Sequence, residues 1–284
     1  MGGARPRRIV IPRHLREAVD AARAAGRLLL GRLEGSLTVG HKSTRADLVS
    51  DADRAAESLI VRRLLRSFPD ADILAEEETR RDTGAPHRWI IDPLDGTVNF
   101  VHGFPLFSVS IALEVRGRIQ AGVVHLPRLG ETFTAVRGKG AWRNGRRIRV
   151  STTRRLRDSL LATGFPYFDE GRKRNLRYFG GLLTKTQAIR RVGSAAIDLC
   201  FTACGIFDGF WEFALKPWDI AAGMLIVREA GGRATAFDGG PVVLETGEIL
   251  ASNGRIHREM AAVLAELGRR RAPWPRCFGP NAPP

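Results

Sequence analysis

The feature that most constrains the fold is a predicted buried strand that runs directly into two aspartates. Residues 89–91 are Trp-Ile-Ile, and Asp92 and Asp95 flank the Pro-Leu pair that follows them. Other acids stand at the same kind of position: Glu76 and Glu77 after a predicted strand at 73–74, and Asp219 at the start of a predicted helix. Folding alone does not require acids at these element ends, so we expect the fold to bring them to one site.

Carboxylates gathered in this way suit a hard divalent cation. Mg²⁺ takes oxygen ligands and keeps several waters, using a few carboxylates together with a substrate phosphate. One of the two aspartates can bridge two ions while the other binds the second ion, and the Leu94 carbonyl between them is free to act as a further ligand. The sequence therefore predicts a Mg²⁺ site at the end of this strand.

Gly96 and Thr97 follow the second aspartate and suggest what the metal acts on. Gly96 lets a phosphate approach the backbone closely, and consecutive N–H groups at a turn or helix start form an anion site. The Thr97 hydroxyl can orient or help deprotonate a water if a carboxylate receives its proton, and Asp53 is a candidate for that carboxylate. The pattern is typical of a site for metal-assisted hydrolysis.

Each acid taken alone also has a structural explanation. Asp53, Asp51 and Glu57 lie in the first turns of a predicted helix, where acids favour the helix dipole. Asp-Pro and Asp-Gly pairs mark ordinary turns, and Asp219 could simply cap its helix. The hypothesis of a site depends on the acids occurring together.

Hydrophobic spacing divides the chain into two halves of one domain at 14–268. The half at 14–150 predicts helices over an antiparallel sheet, with helices at 15–33 and 51–68, strands at 73–74, 89–91, 108–115, 122–125 and 131–136, and a hairpin at 138–147. The half at 151–268 predicts α/β layering, with strands at 160–162, 188–192 and 210–213 and helices at 175–186, 195–203 and 218–230. A basic flexible tail at 1–13 and a Pro-rich tail at 269–284 are expected outside the domain.

Composition describes a globular protein with an excess of positive charge. The 284 residues carry 45 Lys and Arg against 30 Asp and Glu, a net charge of +15 that would suit nucleic acid. Of the 45 cations 40 are arginine, and they occur in scattered runs that are typical of solvated faces, so we do not expect nucleic acid as the main partner. Three cysteines without metal spacing, no apolar stretch long enough for a membrane span and no secretory signal predict a cytoplasmic protein.

Four segments resemble the inositol monophosphatase family. Residues 89–105 resemble its first motif and residues 216–223 its second, while residues 47–53 and 74–77 are similar to two further family segments. The resemblance runs in order from about residue 14 to 267. It implies a layered αβαβα sandwich of the sugar-phosphatase type and Mg²⁺-dependent, lithium-sensitive hydrolysis of a phosphate monoester by a homodimer.

The resemblance also implies a role for each motif residue. Two or three Mg²⁺ ions would be bound by Glu76, Asp92, the Leu94 carbonyl, Asp95 and Asp219. Thr97 and Asp53, together with Glu76, would be the catalytic residues that position and deprotonate the attacking water. Substrate contacts would come from Asp95, Gly96, Thr97, Ser194, Ala195 and Glu212. Glu77 would support the metal ligands as an acceptor, and Lys42 would lie near the metal site.

The substrate class depends on a few residues of this sequence. Val98 after the Gly-Thr pair is closer to the inositol-type pattern than the Lys of relatives that hydrolyse adenosine bisphosphates or histidinol phosphate. Glu212 favours a polyol, since a carboxylate accepts hydrogen bonds from hydroxyls. We therefore expect myo-inositol monophosphate. Fructose 1,6-bisphosphate, histidinol phosphate and adenosine bisphosphate remain alternatives, as does an RNA-associated binding role.

Overall fold

The computed structural model describes residues 11–33, 38–41 and 48–269, which form seven α-helices and fifteen strands. The helices are α1 (Ile11–Arg32), α2 (Asp51–Ser67), α3 (Thr97–Val101), α4 (Asp169–Leu183), α5 (Ala195–Ala203), α6 (Pro217–Glu229) and α7 (His257–Arg269). The strands are β1 (Val39–His41), β2 (Leu48–Ser50), β3 (Asp72–Ala75), β4 (Arg80–Arg81), β5 (His87–Asp95), β6 (Ser108–Val115), β7 (Arg118–Leu126), β8 (Glu131–Val136), β9 (Gly140–Arg143), β10 (Arg146–Arg147), β11 (Leu160–Thr163), β12 (Ala188–Arg190), β13 (Gly209–Glu212), β14 (Arg233–Thr235) and β15 (Ile249–Ser252).

Two sheets form the frame of the molecule. The first has eight strands in the order β10-β9-β8-β7-β6-β5-β3-β4, in which only the β3–β5 pair is parallel. The second has five strands in the order β12-β11-β13-β15-β14, with β11 parallel to both β12 and β13. β1 and β2 form a separate antiparallel pair. The first sheet therefore grows mainly by hairpins and the second by crossovers through helices.

Helices α1 and α2 cover one face of the eight-stranded sheet. Ala18, Ala22, Ala25 and Leu29 of α1 recur at helical spacing, and each is at most 2% exposed. Ile60 and other apolar residues of α2 belong to the same buried cluster as these side chains and the sheet face. Full burial of each larger side chain stabilises the fold by about 1.5–3 kcal/mol.

Helices α5 and α6 fill the space between the two sheets. A second buried cluster joins both helices to the opposite face of the eight-stranded sheet and to one face of the five-stranded sheet. At Gly122 in β7 an added Cβ would lie 3.0 Å from the Cα of Ala222, so glycine allows α6 to lie directly against the strand. Helices α4 and α7 cover the outer face of the five-stranded sheet through a third cluster. The resulting layers, α-β-α-β-α, confirm the expected sandwich.

Two helices begin four or more residues before their predicted starts, and strands β5 and β7 are each longer than predicted. Helix α1 begins at Ile11, inside the stretch expected to be a tail, and α4 begins at Asp169, six residues before the predicted start at 175. Three predictions fall outside the described residues: the tail at 1–10, the position of Lys42 and the part of the Pro-rich tail after Arg269. Cys200 and Cys204 are free thiols, as expected. Within the described ranges, no helix has both the length and the apolar character that a membrane crossing needs.

Candidate active site

Strand β5 ends in a bulge that turns both of its aspartates to the same cavity. Asp92 pairs with Ser110 of β6 and Asp95 with Ser108, so the β5 side has one more residue than its partner. Pro93 lies in this irregular stretch, where its missing N–H breaks no ladder bond. The Leu94 N–H instead donates to Asp92 Oδ1 at 2.9 Å. Because side chains alternate along a strand, the extra residue is what allows two aspartates three positions apart to face one side.

The cavity beside this bulge is lined by every residue that the family resemblance implies as a metal ligand or substrate contact. These residues are Glu76, Asp92, Leu94, Asp95, Gly96, Thr97, Ser194, Ala195, Glu212 and Asp219. They come from the ends of strands in both sheets and from the first turns of three helices. Asp53, which is fully buried, stands behind the cavity wall. The structure thus brings together residues that are up to 143 positions apart between Glu76 and Asp219.

The carboxylates in this cavity disfavour one another's charge. Burial raises the pKa of Asp92 well above its usual value, and the neighbouring Glu76, Asp95 and Asp219 raise it further. Burial also raises the pKa of Asp219, with Glu76 and Asp95 acting in the same direction. Asp95 reaches a pKa of about 6, because burial outweighs the hydrogen bonds that its carboxylate accepts. The site therefore has an excess of negative charge that a cation would neutralise.

The expected metal ligands line the same cavity, but their side chains do not converge on a single metal position. As the side chains stand, no three His, Cys, Asp or Glu residues in the described ranges form a group that could hold a metal ion. The donor chemistry nevertheless fits a hard divalent cation, since Asp92, Asp95 and Asp219 present carboxylate oxygens to the cavity.

Thr97 is held by two acceptors at the start of α3. Its Oγ1 lies 3.0 Å from Asp53 Oδ1 and 3.1 Å from the Leu94 carbonyl oxygen. The other oxygen of Asp53 accepts the Ser50 N–H at 2.8 Å and the Ser50 hydroxyl. The predicted partnership of Thr97 and Asp53 is therefore present as a direct hydrogen bond between a cavity-lining hydroxyl and a buried carboxylate.

The turn between Asp95 and Thr97 requires glycine. Gly96 has φ +93°, and an added Cβ would lie 3.2 Å from the Leu106 carbonyl oxygen and 3.3 Å from that of Gly193. Across this contact, Asp95 Oδ2 accepts the Ser194 hydroxyl at 2.6 Å and the Ala196 N–H at 2.8 Å. These bonds join the end of β5 to the start of α5 and bring Ser194 and Ala195 beside the acids.

Glu212 ends β13 and reaches the cavity from the five-stranded sheet. Its carboxylate lies over Gly164, where an added Cβ would be 2.1 Å from Oε1. Burial raises the pKa of Glu212 to about 8; Asp95 adds to this effect and Arg191 opposes it. Glu212 is therefore mainly protonated at neutral pH and can donate one hydrogen bond as well as accept others.

Sequence reasoning did not identify two residues that shape the site. Gly164 gives Glu212 its space, and no local pattern marks it because the close approach comes from a neighbouring strand. Glu57, which the pattern explained by the helix dipole, accepts three backbone N–H groups from the turn after Glu76. The Ser50-x-x-Asp53 spacing could have indicated that Asp53 is fixed at a helix start, since it matches a capping box.

The fold thus places a cleft of carboxylates, and a hydroxyl held by a buried acid, between the layers of an α/β sandwich. A sequence model of the inositol monophosphatase family matches residues 12–269. The chain belongs to that family.

Relatives named for two different activities are about equally similar to this chain. The inositol-1-monophosphatase of Synechocystis sp. is 47% identical over 252 residues, which cover 88% of this chain and 86% of the relative. The Nus factor SuhB of Pseudomonas aeruginosa is 43% identical over 255 residues, covering 87% and 94%. A crystal structure of the extragenic suppressor protein SuhB from Bartonella henselae superposes with a TM-score of 0.85 at 43% identity, covering 90% and 98%.

Proposed function

We propose that the chain hydrolyses a phosphate monoester of a polyol, with inositol monophosphate as its preferred substrate and Mg²⁺ as its metal. The observation that carries this proposal is the Thr97 hydroxyl, which is bonded to Asp53 and lines the same cavity as the acids at 76, 92, 95 and 219. A hydroxyl placed in this way can reach a water or a phosphate in the cavity, while the buried acid behind it can receive a proton.

Asp53 and Thr97 would move the proton of the attacking water. Thr97 Oγ1 would accept a hydrogen bond from that water while donating to Asp53 Oδ1, so that the proton passes along one line of hydrogen bonds. Ser50 fixes the other oxygen of Asp53 and so keeps Oδ1 directed at Thr97. When bound, Mg²⁺ would neutralise negative charge and lower the pKa of water. The oxygens of Glu76, Asp92, Asp95 and Asp219 and the Leu94 carbonyl would hold it.

The remaining cavity residues would bind the substrate. The backbone N–H groups of Gly96 and Thr97 would contact the phosphate, and Ser194, Ala195 and Glu212 the polyol. Because Glu212 is mainly protonated at neutral pH, it can both donate to and accept from neighbouring hydroxyls. Such a contact suits a ring with several hydroxyls.

Phosphate release from a panel of substrates tests the proposal. We expect release from inositol monophosphate in Mg²⁺, loss of release with a chelator, and inhibition by millimolar lithium. Inositol monophosphate should show a higher kcat/KM than fructose 1,6-bisphosphate, histidinol phosphate and adenosine bisphosphate. A higher kcat/KM for one of those three would refute the polyol assignment, and no release from any substrate would refute the phosphatase.

A second candidate function is association with RNA or a transcription complex. The net charge of +15 and the similarity to proteins named Nus factor SuhB favour it. Such binding would depend on arginine contacts to phosphate and would weaken steeply as salt is raised. Fluorescence anisotropy with a labelled RNA, repeated with Asp92→Asn, should show salt-dependent binding that the substitution does not change. The absence of binding at low salt would refute this role.

The assembly and location of the chain complete the proposal. We propose a cytoplasmic homodimer: the dimer rests on the family resemblance, and the location on three cysteines that form no disulfide framework. Sedimentation of the purified chain at micromolar concentration should give twice the mass of 31.2 kDa. A single species at 31.2 kDa would contradict the dimer.

A further inference from the structure

One buried carboxylate joins helix α2 to the turn that carries Glu76. Glu57 Oε2 accepts the Glu77 N–H at 2.7 Å. Glu57 Oε1 accepts the N–H groups of Glu78 at 3.0 Å and Thr79 at 2.7 Å. Glu57 is 2% exposed, so these bonds form away from water. Bonds from N–H groups to an ionised acceptor are about twice as strong as those between neutral groups.

These bonds fix the backbone immediately after Glu76. The Glu76 N–H donates to the Ile91 carbonyl at 3.1 Å, which ties the residue to β5 just before Asp92. Glu57 holds the next three N–H groups of the turn and so determines how the chain leaves β3. Glu76 lies between the bond to the Ile91 carbonyl and the bonds to Glu57, and the direction of its side chain into the cavity depends on both.

The same helix carries Asp53, one turn before Glu57. Residues four apart lie on one face of a helix, so Asp53 and Glu57 point in the same general direction. Asp53 holds Thr97 while Glu57 holds the turn of Glu76. Helix α2 therefore connects to two separate parts of the cavity through two buried carboxylates.

We propose that Glu57 is a positioning residue, which keeps Glu76 in place to bind the metal and sets its spacing from Thr97. The inference rests on the proposed Mg²⁺-dependent function. It predicts that loss of the Glu57 carboxylate weakens Mg²⁺ binding more than it slows turnover at saturating Mg²⁺. A purely structural role would lower stability and leave Mg²⁺ affinity unchanged.

Asp72 offers a matched control for Glu57. Asp72 is 4% exposed and accepts the Thr83 N–H and hydroxyl at 2.7 Å and the Ala85 N–H at 2.9 Å. It therefore also makes three hydrogen bonds to a nearby turn, but that turn does not line the cavity. Asp72→Asn should lower stability because it weakens three buried hydrogen bonds, as Glu57→Gln does, but it should not change the position of Glu76.

Mg²⁺ binding and aryl phosphate hydrolysis by the full chain test the proposal. Calorimetric titration with Mg²⁺ alone should give a dissociation constant about 10-fold to 100-fold higher for Glu57→Gln than for the wild type, the usual range for residues that orient metal ligands. The Mg²⁺ concentration for half-maximal activity should rise by the same factor, while kcat at saturating Mg²⁺ stays within about threefold. If Glu57→Gln does not fold, Glu57→Asp should show a smaller shift in the same direction.

The controls separate failure of this inference from failure of the function. Asp72→Asn should lower the unfolding temperature while its Mg²⁺ dissociation constant stays within about twofold of the wild type. Equal Mg²⁺ affinities for Glu57→Gln and Asp72→Asn would overturn the positioning role. A wild type that neither binds Mg²⁺ nor depends on it for hydrolysis would instead refute the proposed function.

Discussion

At the scale of single residues, the Thr97 hydroxyl has one proton and two acceptors within reach. Asp53 Oδ1 at 3.0 Å and the Leu94 carbonyl at 3.1 Å compete for that proton. Of the two, an ionised carboxylate is the stronger acceptor, so the proton is directed mainly to Asp53. The hydroxyl lone pairs are then free for a water in the cavity. The geometry around Thr97 therefore favours a Thr97–Asp53 pair that acts as one unit.

Removal of either member of this pair should slow the chemical step without weakening substrate binding. We expect Thr97→Ala and Asp53→Asn each to lower kcat by about 10²-fold to 10⁴-fold, the usual scale for general acid–base partners. The Michaelis constant should change little, and the double variant should lose little more than either single variant. Steady-state kinetics of the three variants provide the measurement. Multiplicative losses in the double variant would show that the two residues act independently.

Glu212 and Gly164 allow a prediction about the substrate. Glu212→Ala, which removes both the donor and the acceptor, should raise the Michaelis constant for inositol monophosphate about 10-fold, which corresponds to about 1.4 kcal/mol. Gly164→Ala should have a similar effect, because its Cβ would lie 2.1 Å from Glu212 Oε1 and must displace that side chain. Turnover of a minimal aryl phosphate without hydroxyls should stay nearly unchanged. Equal losses on both substrates would contradict the polyol contact.

At the scale of secondary-structure elements, predictions succeeded where hydrophobic spacing and end signals agreed. The helix predicted at 195–203 is α5 with both bounds correct, since Ser194 caps its start and accepts the Ile197 N–H at 3.3 Å. Helix α4 begins six residues early because its first turns are polar and its N-cap, Phe168, makes no capping bond. Without an apolar stripe or a capping side chain, the sequence does not indicate where such a helix starts.

The C-terminal elements and the supports of the site show where sequence reasoning ends. Helix α7 buries Met260, Val263 and Leu264 at helical spacing, so the pattern was present although no helix was predicted there. The acids that line the cavity and the Gly96-Thr97 pair were predicted because they stand in local motifs, whereas residues 165–168 and 213–215, which also line it, were not predicted. Gly164 and Glu57 were not predicted either, because their roles arise from contacts with segments 48 and 20 or more positions away.

The contact between α6 and the eight-stranded sheet gives a prediction about stability. At Gly122 an added Cβ would lie 3.0 Å from both the Cα and the carbonyl oxygen of Ala222. Gly122→Ala should therefore lower the free energy of unfolding by about 1–3 kcal/mol through overpacking. Gly180→Ala in α4 is the control, because no atom lies within 4 Å of its added Cβ. Removing a glycine from a helix interior should stabilise by about 0.5–1 kcal/mol. Urea unfolding of both variants shows whether each substitution lowers or raises the free energy of unfolding.

His257 at the start of α7 gives a prediction about acid stability. Its Nε2 lies 2.9 Å from Thr235 Oγ1 on β14, and its Nδ1 lies 2.9 Å from Ser252 Oγ on β15. Burial lowers the pKa of His257 to about 4, and Arg233 acts in the same direction. The unfolded chain titrates near pH 6.5, so the stability from neutral His257 is complete above about pH 6.5 and is lost as the pH falls towards 4.

We expect His257→Gln to isolate this effect, since glutamine does not titrate. Between pH 7 and about 4.5 the wild type should lose about 2 kcal/mol more unfolding free energy than the variant. Urea unfolding at the two pH values gives the difference, in which the other titrating groups cancel. An equal loss in both proteins would assign the acid sensitivity to other residues.

At the scale of the whole molecule, the crowded acids of the cavity lower the free energy of unfolding, although the proposed metal site needs them. Asp92→Asn removes one of the crowded charges while the amide oxygen still accepts the Leu94 N–H. In the absence of Mg²⁺ this variant should be more stable than the wild type by about 1–2 kcal/mol, as is common when a strained functional group is neutralised. Mg²⁺ should raise the unfolding temperature of the wild type and have little effect on the variant, which should be inactive.

Thermal unfolding of the wild type and Asp92→Asn, with and without Mg²⁺, measures both the stability difference and the response to the metal. Asn99→Asp is not a suitable control, because Asn99 Nδ2 donates to the carbonyls of Leu106 and Val192. Asp158→Asn, at an exposed acid away from the cavity, should leave both the stability and the Mg²⁺ response unchanged. A lower stability of Asp92→Asn without Mg²⁺ would contradict the charge-crowding explanation.

The division of the cavity between two sheets has a consequence for how such proteins diversify. Asp92 and Asp95 end a strand of the eight-stranded sheet, whereas Glu212 ends a strand of the five-stranded sheet. After gene duplication, one copy can accumulate changes around β11 and β13 while the bulge of β5 stays as it was. Its descendants would exchange one leaving group for another and keep the same hydrolytic step. New specificities should therefore arise from changes in the five-stranded sheet, while selection keeps the end of β5 in the eight-stranded sheet unchanged.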